Sequence, residues 1–274
     1  VVITGAFTGI GRDCAHYLAG RGWRVFAGTR DADEAESLAA EGTSGITPLH
    51  LDVTDPEGIA AAVLAVGAAL GEDGVLDGLV NNAAIAIGGP LEYLPVADLQ
   101  AVFDVNVFGV QRTSAAFLPL IRRGRGRLVH VGSSAGGFAT PLMGPYCASK
   151  AALEALADAQ RRELAPWKIA VALVAPGPVD TGIWDQDVLA GTPEAAREHY
   201  AAVIDGFREL SQSNRGRVIP PRTVSVAIEH ALTSNRPRLR YDPGLHAKLA
   251  RAVLHKLPGR AADELLRRMM GRER

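Results

Sequence analysis

Cysteine is scarce in this 274-residue chain: Cys14 and Cys147 stand far apart, and neither sits in a metal-ligand spacing. That excludes a disulfide-stapled scaffold and a zinc cluster, and points to two buried thiols in a reducing compartment. The expected location is cytoplasmic. Long apolar runs are also missing. The densest, from Ile59 to Leu70, falls short of the roughly 18 residues of a membrane span and reads as a buried helix. No secretory signal is visible, and the chain opens on VVITG without an initiator methionine, which leaves room for a few upstream residues. There is no internal repeat, and a net charge of −1 gives no reason to expect a nucleic-acid partner. The charge is unevenly placed, however. Residues 236–274 hold 11 Lys or Arg against 4 Asp or Glu, so the tail is basic and the body acidic.

What is present suits one large α/β domain: 47% hydrophobic and 22% charged residues, enough for a full core. Short β-branched runs (VVITG, WRVFAGT, ITPLHLDV, LDGLVNNA, GRLVHVGS, KIAVALVAPG and a seventh near RPRLRY) alternate with Ala- and Leu-rich stretches of helical spacing. This is the pattern of a doubly wound parallel sheet, a Rossmann-type fold covered on both faces. The whole chain, 1–274, is expected to be a single domain. The sheet pattern stops between residues 181 and 220, where a charged helical insertion is expected to form a substrate lid. Residues 236–274 form a basic extension.

In such sheets ligands bind beyond the carboxyl ends of the strands. After the first strand comes TGAFTGIG, which sets Gly5, Gly9 and Gly11, with Thr8 and Ile10, at the entry to a helix. Glycines there permit a tight turn, and a helix N-terminus offers N–H groups to a pyrophosphate, although glycine-rich turns also serve simple packing. The second strand ends GTRD. Thr29 fills the position where an NAD site usually carries an acid, and the next residue, Arg30, suits a 2′-phosphate. NADP(H) is therefore expected ahead of NAD(H), with Asp31 keeping NAD(H) possible. Asp52 and Val53 close the third strand, Asn81 and Asn82 the fourth, Ser133 and Ser134 the fifth, and PGPVDT, with Val179 and Thr181, the sixth. Each of these has a plainer reading as a loop cap or turn.

The stretch GPYCASK places Tyr146 four residues before Lys150. On a helix the two share a face, and a cation beside a phenol favours the phenolate. The spacing alone fits an amphipathic surface turn better than a catalytic pair. The ordered set TGAFTGIG, LDV, NNAA, Asn106 in DVNVFG, Ser133, YCASK and PGPVDT resembles the short-chain dehydrogenase/reductase family from Val1 to Thr181. It departs where the family usually has Asn-Asn-Ala-Gly and this chain ends the motif on Ala84. The serine pair is slightly displaced, and a thirteen-residue spacing to Tyr146 selects Ser133, with Ser134 second.

The resemblance implies oxidoreduction between a carbonyl and an alcohol. Tyr146 is the acid-base catalyst, with its pKa drawn down by Lys150. Ser133 donates to the substrate oxygen, Lys150 also binds the nicotinamide ribose, and Asn106 holds a water that links Lys150 to solvent. A dinucleotide-binding regulator without chemistry is the alternative. RPRLRY and LPGRAADELLRR look like the hydroxysteroid- and retinol-dehydrogenase-like branch, and Ile183 and Trp184 suggest apolar walls for a bulky hydrophobic ketone or alcohol. The resemblance also implies a homodimer or homotetramer through helices near residues 98–123 and 147–164. In the tail, Leu245, Leu249, Val253 and Leu257 recur every four residues. They are expected to pack beside the substrate pocket rather than lie on lipid.

Overall fold

Each of the apolar runs folds as a strand, and the strands lie parallel in the order β3-β2-β1-β4-β5-β6-β7. They are β1 (Val2–Ile3), β2 (Val25–Thr29), β3 (Ile46–His50), β4 (Gly78–Asn81), β5 (Arg127–Val131), β6 (Ala170–Val174) and β7 (Arg240–Tyr241). The structure is a computed structural model and describes residues 1–72, 74–181, 188–215, 218–253 and 257–269. The strand order reverses at β1, which pairs with β2 on one side (Val2 opposite Phe26) and β4 on the other (Val2 opposite Leu79).

Successive strand residues point to opposite faces, and each face carries its own core. On one side Ile3, Val80, Val129, Ala172 and Val174 pack under Cys14, Leu18, Val224 and Ile228. These last four come from α1 (Gly9–Ala19) and α9 (Pro221–Thr233). On the other side Val2, Phe26, Leu79, Leu128, Val171 and Leu173 meet Ile59, Phe117 and Ile121. Those belong to α3 (Pro56–Leu70) and α5 (Val110–Gly124). Both faces are covered, so the strands are apolar throughout rather than alternating.

Among the described residues, two of the helices beyond those the periodicity marks out bear on the sheet. The first, α2 (Ala32–Ala40), buries only Leu38, too little for an apolar stripe to show. The second, α9, is held to α1 by polar staples as well as by its core face. Arg222 pairs with Asp13 at 3.1 Å, and Ser225 Oγ donates to the same carboxylate. The stretch expected as one long helix after β4 is α4 (Val96–Phe103), a π-helical turn (Asp104–Gly109) and α5.

The 181–220 insertion carries α7 (Glu194–His199) and α8 (Ala201–Arg215). Gly88 N–H donates to Val188 O at 2.9 Å, and the Arg197 guanidinium donates to the Thr192 and Leu189 carbonyls at 2.9 and 3.3 Å. Ile183 and Trp184 lie outside the described residues. In the tail, α10 (Leu245–Val253) packs on the turn at Ser134–Gly136, but not by the face the leucine spacing suggests. Ala247 is buried, whereas Leu245 and Leu249 are 70% and 49% exposed. Among the described residues, no helix is long and apolar enough to cross a membrane.

Candidate active site

The carboxyl ends of β1 to β6 open onto one cavity of about 500 Å3. Of the residues expected from the sequence, Gly5, Thr8, Gly9, Ile10, Arg30, Asp52, Val53, Asn82, Ser133, Tyr146, Lys150, Val179 and Thr181 line it. Gly11 and Asn106 are not in its lining; they stand behind and shape it.

The glycine turn fits a dinucleotide phosphate on sterics. A Cβ on Gly11 would lie 2.1 Å from the Gly5 carbonyl oxygen and 2.5 Å from Asn82 Nδ2, and Gly5 itself has φ +62°. Any side chain there would push the turn apart. Asn82 closes the cradle from β4 by donating from Nδ2 to the carbonyls of Thr4 and Gly5, both at 2.9 Å. At the start of α1, Thr8 makes no side-chain cap bond. The first-turn N–H groups are thus left for an anion.

Tyr146 and Lys150 sit on α6 (Gly144–Leu164), which starts sharply because Pro145 occupies its first turn. Both side chains are buried, with Lys150 Nζ 5.6 Å from the phenol ring centre and donating to Val131 O at 3.0 Å. Ser133 hydrogen-bonds the Tyr146 hydroxyl, while its Oγ accepts from Ala135 N–H at 3.1 Å. Ser134 faces elsewhere with its main chain, donating to Pro176 O at 2.9 Å.

The electrostatics correct the sequence expectation. Burial pushes the Tyr146 phenol up to about 12, against the lowering effect of Ser133. Burial also pulls the Lys150 ammonium down to about 8. Desolvation penalises the charged form of both groups, and the ammonium is directed to a carbonyl rather than to the phenol oxygen, so the pair drifts towards neutrality. Burial thus favours the protonated phenol through neutral pH.

Asn106 is fully buried in the π-helical turn. Its Oδ1 accepts from Ile85 N–H, and its Nδ2 donates to Ile85 O (both 2.9 Å) and to Ser149 Oγ (3.0 Å). Ser149 Oγ in turn donates to the Tyr146 carbonyl at 2.7 Å. With both amide hydrogens spent, Asn106 clamps the loop after β4 to the helix that carries Tyr146.

The structure adds cavity residues that were not singled out within or beside the motifs. Phe7, Ile85, Val105 and Glu34 all line it. Glu34 was detectable in principle, since it follows Arg30 by four residues at a helix start; the others carry no signal apart from their place in or next to a motif.

Behind the site, His130 on β5 is enclosed. Its Nδ1 accepts from Asn81 Nδ2 at 3.1 Å, and its Nε2 donates to Gln160 Oε1 at 2.8 Å. Burial lowers its pKa to about 4. Between that value and the unfolded value near 6.5 the unfolded chain binds the extra proton, so stability present above pH 6.5 is lost as pH falls towards 4. The loss from this group should reach about 3 kcal/mol at full protonation. Urea titrations at pH 7 and pH 5 should show His130→Asn with a clearly flatter pH dependence than the parent; equal slopes would refute this.

The family model described as short chain dehydrogenase matches residues 1–189. Retinol dehydrogenase 5 of Mus musculus is 36% identical over 278 residues, covering 97% of this chain and 87% of that protein. A short chain dehydrogenase/reductase from Burkholderia phymatum, in complex with NAD, superposes with a TM-score of 0.75 at 28% identity, covering 92% of this chain and 90% of that one. A short chain dehydrogenase from Burkholderia cenocepacia, in complex with NADP, superposes at 0.71 and 25% identity, with coverage of 98% and 95%. The glycine cradle, the strand-end cavity and these likenesses agree: this chain belongs to the short-chain dehydrogenase/reductase family, in its retinol-dehydrogenase-like branch, and is an NAD(P)-dependent oxidoreductase.

Proposed function

We propose that the chain interconverts a carbonyl and an alcohol on a bulky hydrophobic substrate, with Tyr146 as the acid-base catalyst. The observation that carries this reading is the setting of Tyr146. It clusters with Met143 and Cys147, packed by Ala86, Ala135, Val188 and Phe207, while its hydroxyl meets Ser133. The wall is apolar and the polar groups converge on one oxygen, which is what orients an apolar carbonyl compound.

A bound nicotinamide would supply the hydride in reduction. The chain then has to neutralise and protonate the oxygen that gathers charge. Ser133 donates a hydrogen bond to that oxygen, and Tyr146 delivers the proton from a phenol kept protonated by its burial. Lys150, on the cavity wall, would hold the ribose hydroxyls and restore the phenol proton. Asn106 fixes the loop at Ile85 and, through Ser149, the start of α6. A water linking Lys150 to solvent would have to use an oxygen of Asn106, since its side-chain donors are occupied.

Arg30 lines the cavity where it can meet a 2′-phosphate, which supports NADP(H) being accepted alongside NAD(H). The insertion at 188–215 reads as the substrate lid, since Val188 and Phe207 reach the Tyr146 cluster. The test is a panel of ketones, aldehydes and alcohols of rising size, retinoids included because of the named relative, assayed with NADPH and NADH. Turnover should increase with apolar bulk. A preference for small, charged substrates, or no turnover with any member, would overturn the reading.

A further inference from the structure

The adenosine end of the cavity carries more negative charge than a strand-end arginine suggests. The Arg30 guanidinium is already engaged, with Nε and NH2 donating to Asp31 Oδ2 at 3.2 and 3.0 Å. The Arg30 main-chain N–H donates to Glu34 Oε2 at 3.2 Å, which holds that carboxylate at the first turn of α2. Glu34, Arg30 and Asp52 line the same cavity. One guanidinium thus stands among three carboxylates, where a single unopposed cation would select for a phosphate.

We propose that Glu34 is a specificity-determining residue for the cofactor, a built-in acidic counterweight to Arg30 that disfavours a 2′-phosphate and leaves the chain open to both NADH and NADPH. The inference rests on the reading of this cavity as the dinucleotide site. Arg30 attracts the dianionic phosphate and Glu34 repels it at similar range, while the uncharged ribose 2′-hydroxyl of NADH meets an acceptor instead. Asp31 acts in the same sense by occupying the guanidinium fork. Both acids are near solvent, so the effect should be moderate and sensitive to salt.

Dissociation constants for NADPH and NADH, from quenching of protein fluorescence and from calorimetry, test this without reference to turnover. The intact chain should bind NADPH no more than roughly tenfold more tightly than NADH. Glu34→Gln should raise the NADPH-to-NADH selectivity roughly three- to tenfold, mainly by tightening NADPH, and the gain should shrink between about 50 and 300 mM salt. Asp31→Asn should move selectivity the same way by freeing the Arg30 fork. Binding of both cofactors with an unchanged ratio in both variants would overturn the inference alone. Failure of the intact chain to bind either cofactor would overturn the dinucleotide reading, and the inference with it.

Discussion

Tyr146→Phe should lower the carbonyl-reduction kcat by at least ~100-fold and up to ~10,000-fold, the range supplied by a positioned proton donor. The affinity for dinucleotide should stay within about threefold. The substitution keeps the ring and its packing with Met143, Cys147 and Phe207 and removes only the hydroxyl that Ser133 meets. Loss of turnover with binding retained would locate the defect in proton transfer. A variant that reduces substrate at the parent rate would exclude Tyr146 as the acid. The raised phenol pKa, about 12, adds a direction. Reduction should hold its rate through neutral pH, since the donor stays protonated there, whereas alcohol oxidation needs the phenolate and should rise with pH. Reduction that speeds up as pH rises through neutral, or oxidation that slows, would contradict this.

Lys150→Met should separate function from stability. Turnover and dinucleotide affinity should both fall, the first by at least ~100-fold, because the cavity loses the cation that serves both. Stability should rise. The buried ammonium is 2% exposed, and burial pulls its pKa down to about 8, so near pH 7 its charge is carried at a cost of up to about 3 kcal/mol. The Val131 carbonyl loses a donor in the variant, which offsets about 1 kcal/mol of the gain. A net increase of about 1–2 kcal/mol, or a few degrees in Tm, is expected at pH 7. It should fade as pH rises from 8 towards 10.5, where the unfolded lysine keeps its proton and the folded one has released it. A variant less stable than the parent at pH 7 would show that the ammonium supports the fold. Loss of turnover with unchanged dinucleotide affinity would remove its second role.

The strands were legible because a sheet covered on both faces demands continuous β-branched runs, and VVITG, GRLVHVGS and KIAVALVAPG have no other economical reading. Even the two-residue β7 shows in RPRLRY. The helix α2 was not legible, since a helix that buries only Leu38 leaves no stripe. The leucines of α10 illustrate the converse. A regular stripe marks an amphipathic helix but does not say which face meets the protein, and here Ala247 is buried while Leu245 and Leu249 are exposed.

The same division runs through the site. The sequence by itself determined the sheet, the glycine turn, and the candidate residues around the cavity, Ser133 at a strand end and Tyr146 and Lys150 on a helix among them, because these depend on local spacing and on the few residue types a tight turn or a proton transfer tolerates. Only the tertiary structure decided how those residues are charged and what they touch. The adjacency of Tyr146 and Lys150 predicted a phenolate, yet burial of both groups keeps the phenol protonated and sends the ammonium to Val131. Arg30 reads from the sequence as a phosphate partner beside Asp31, and only the fold shows that Asp31 takes its guanidinium and Glu34 its main-chain N–H. Asn106 reads from the sequence as a residue of the site, and only the fold shows that its amide locks Ile85 and Ser149. In each case the deciding quantity is desolvation or a partner brought in by the fold, and neither is a property of spacing along the chain.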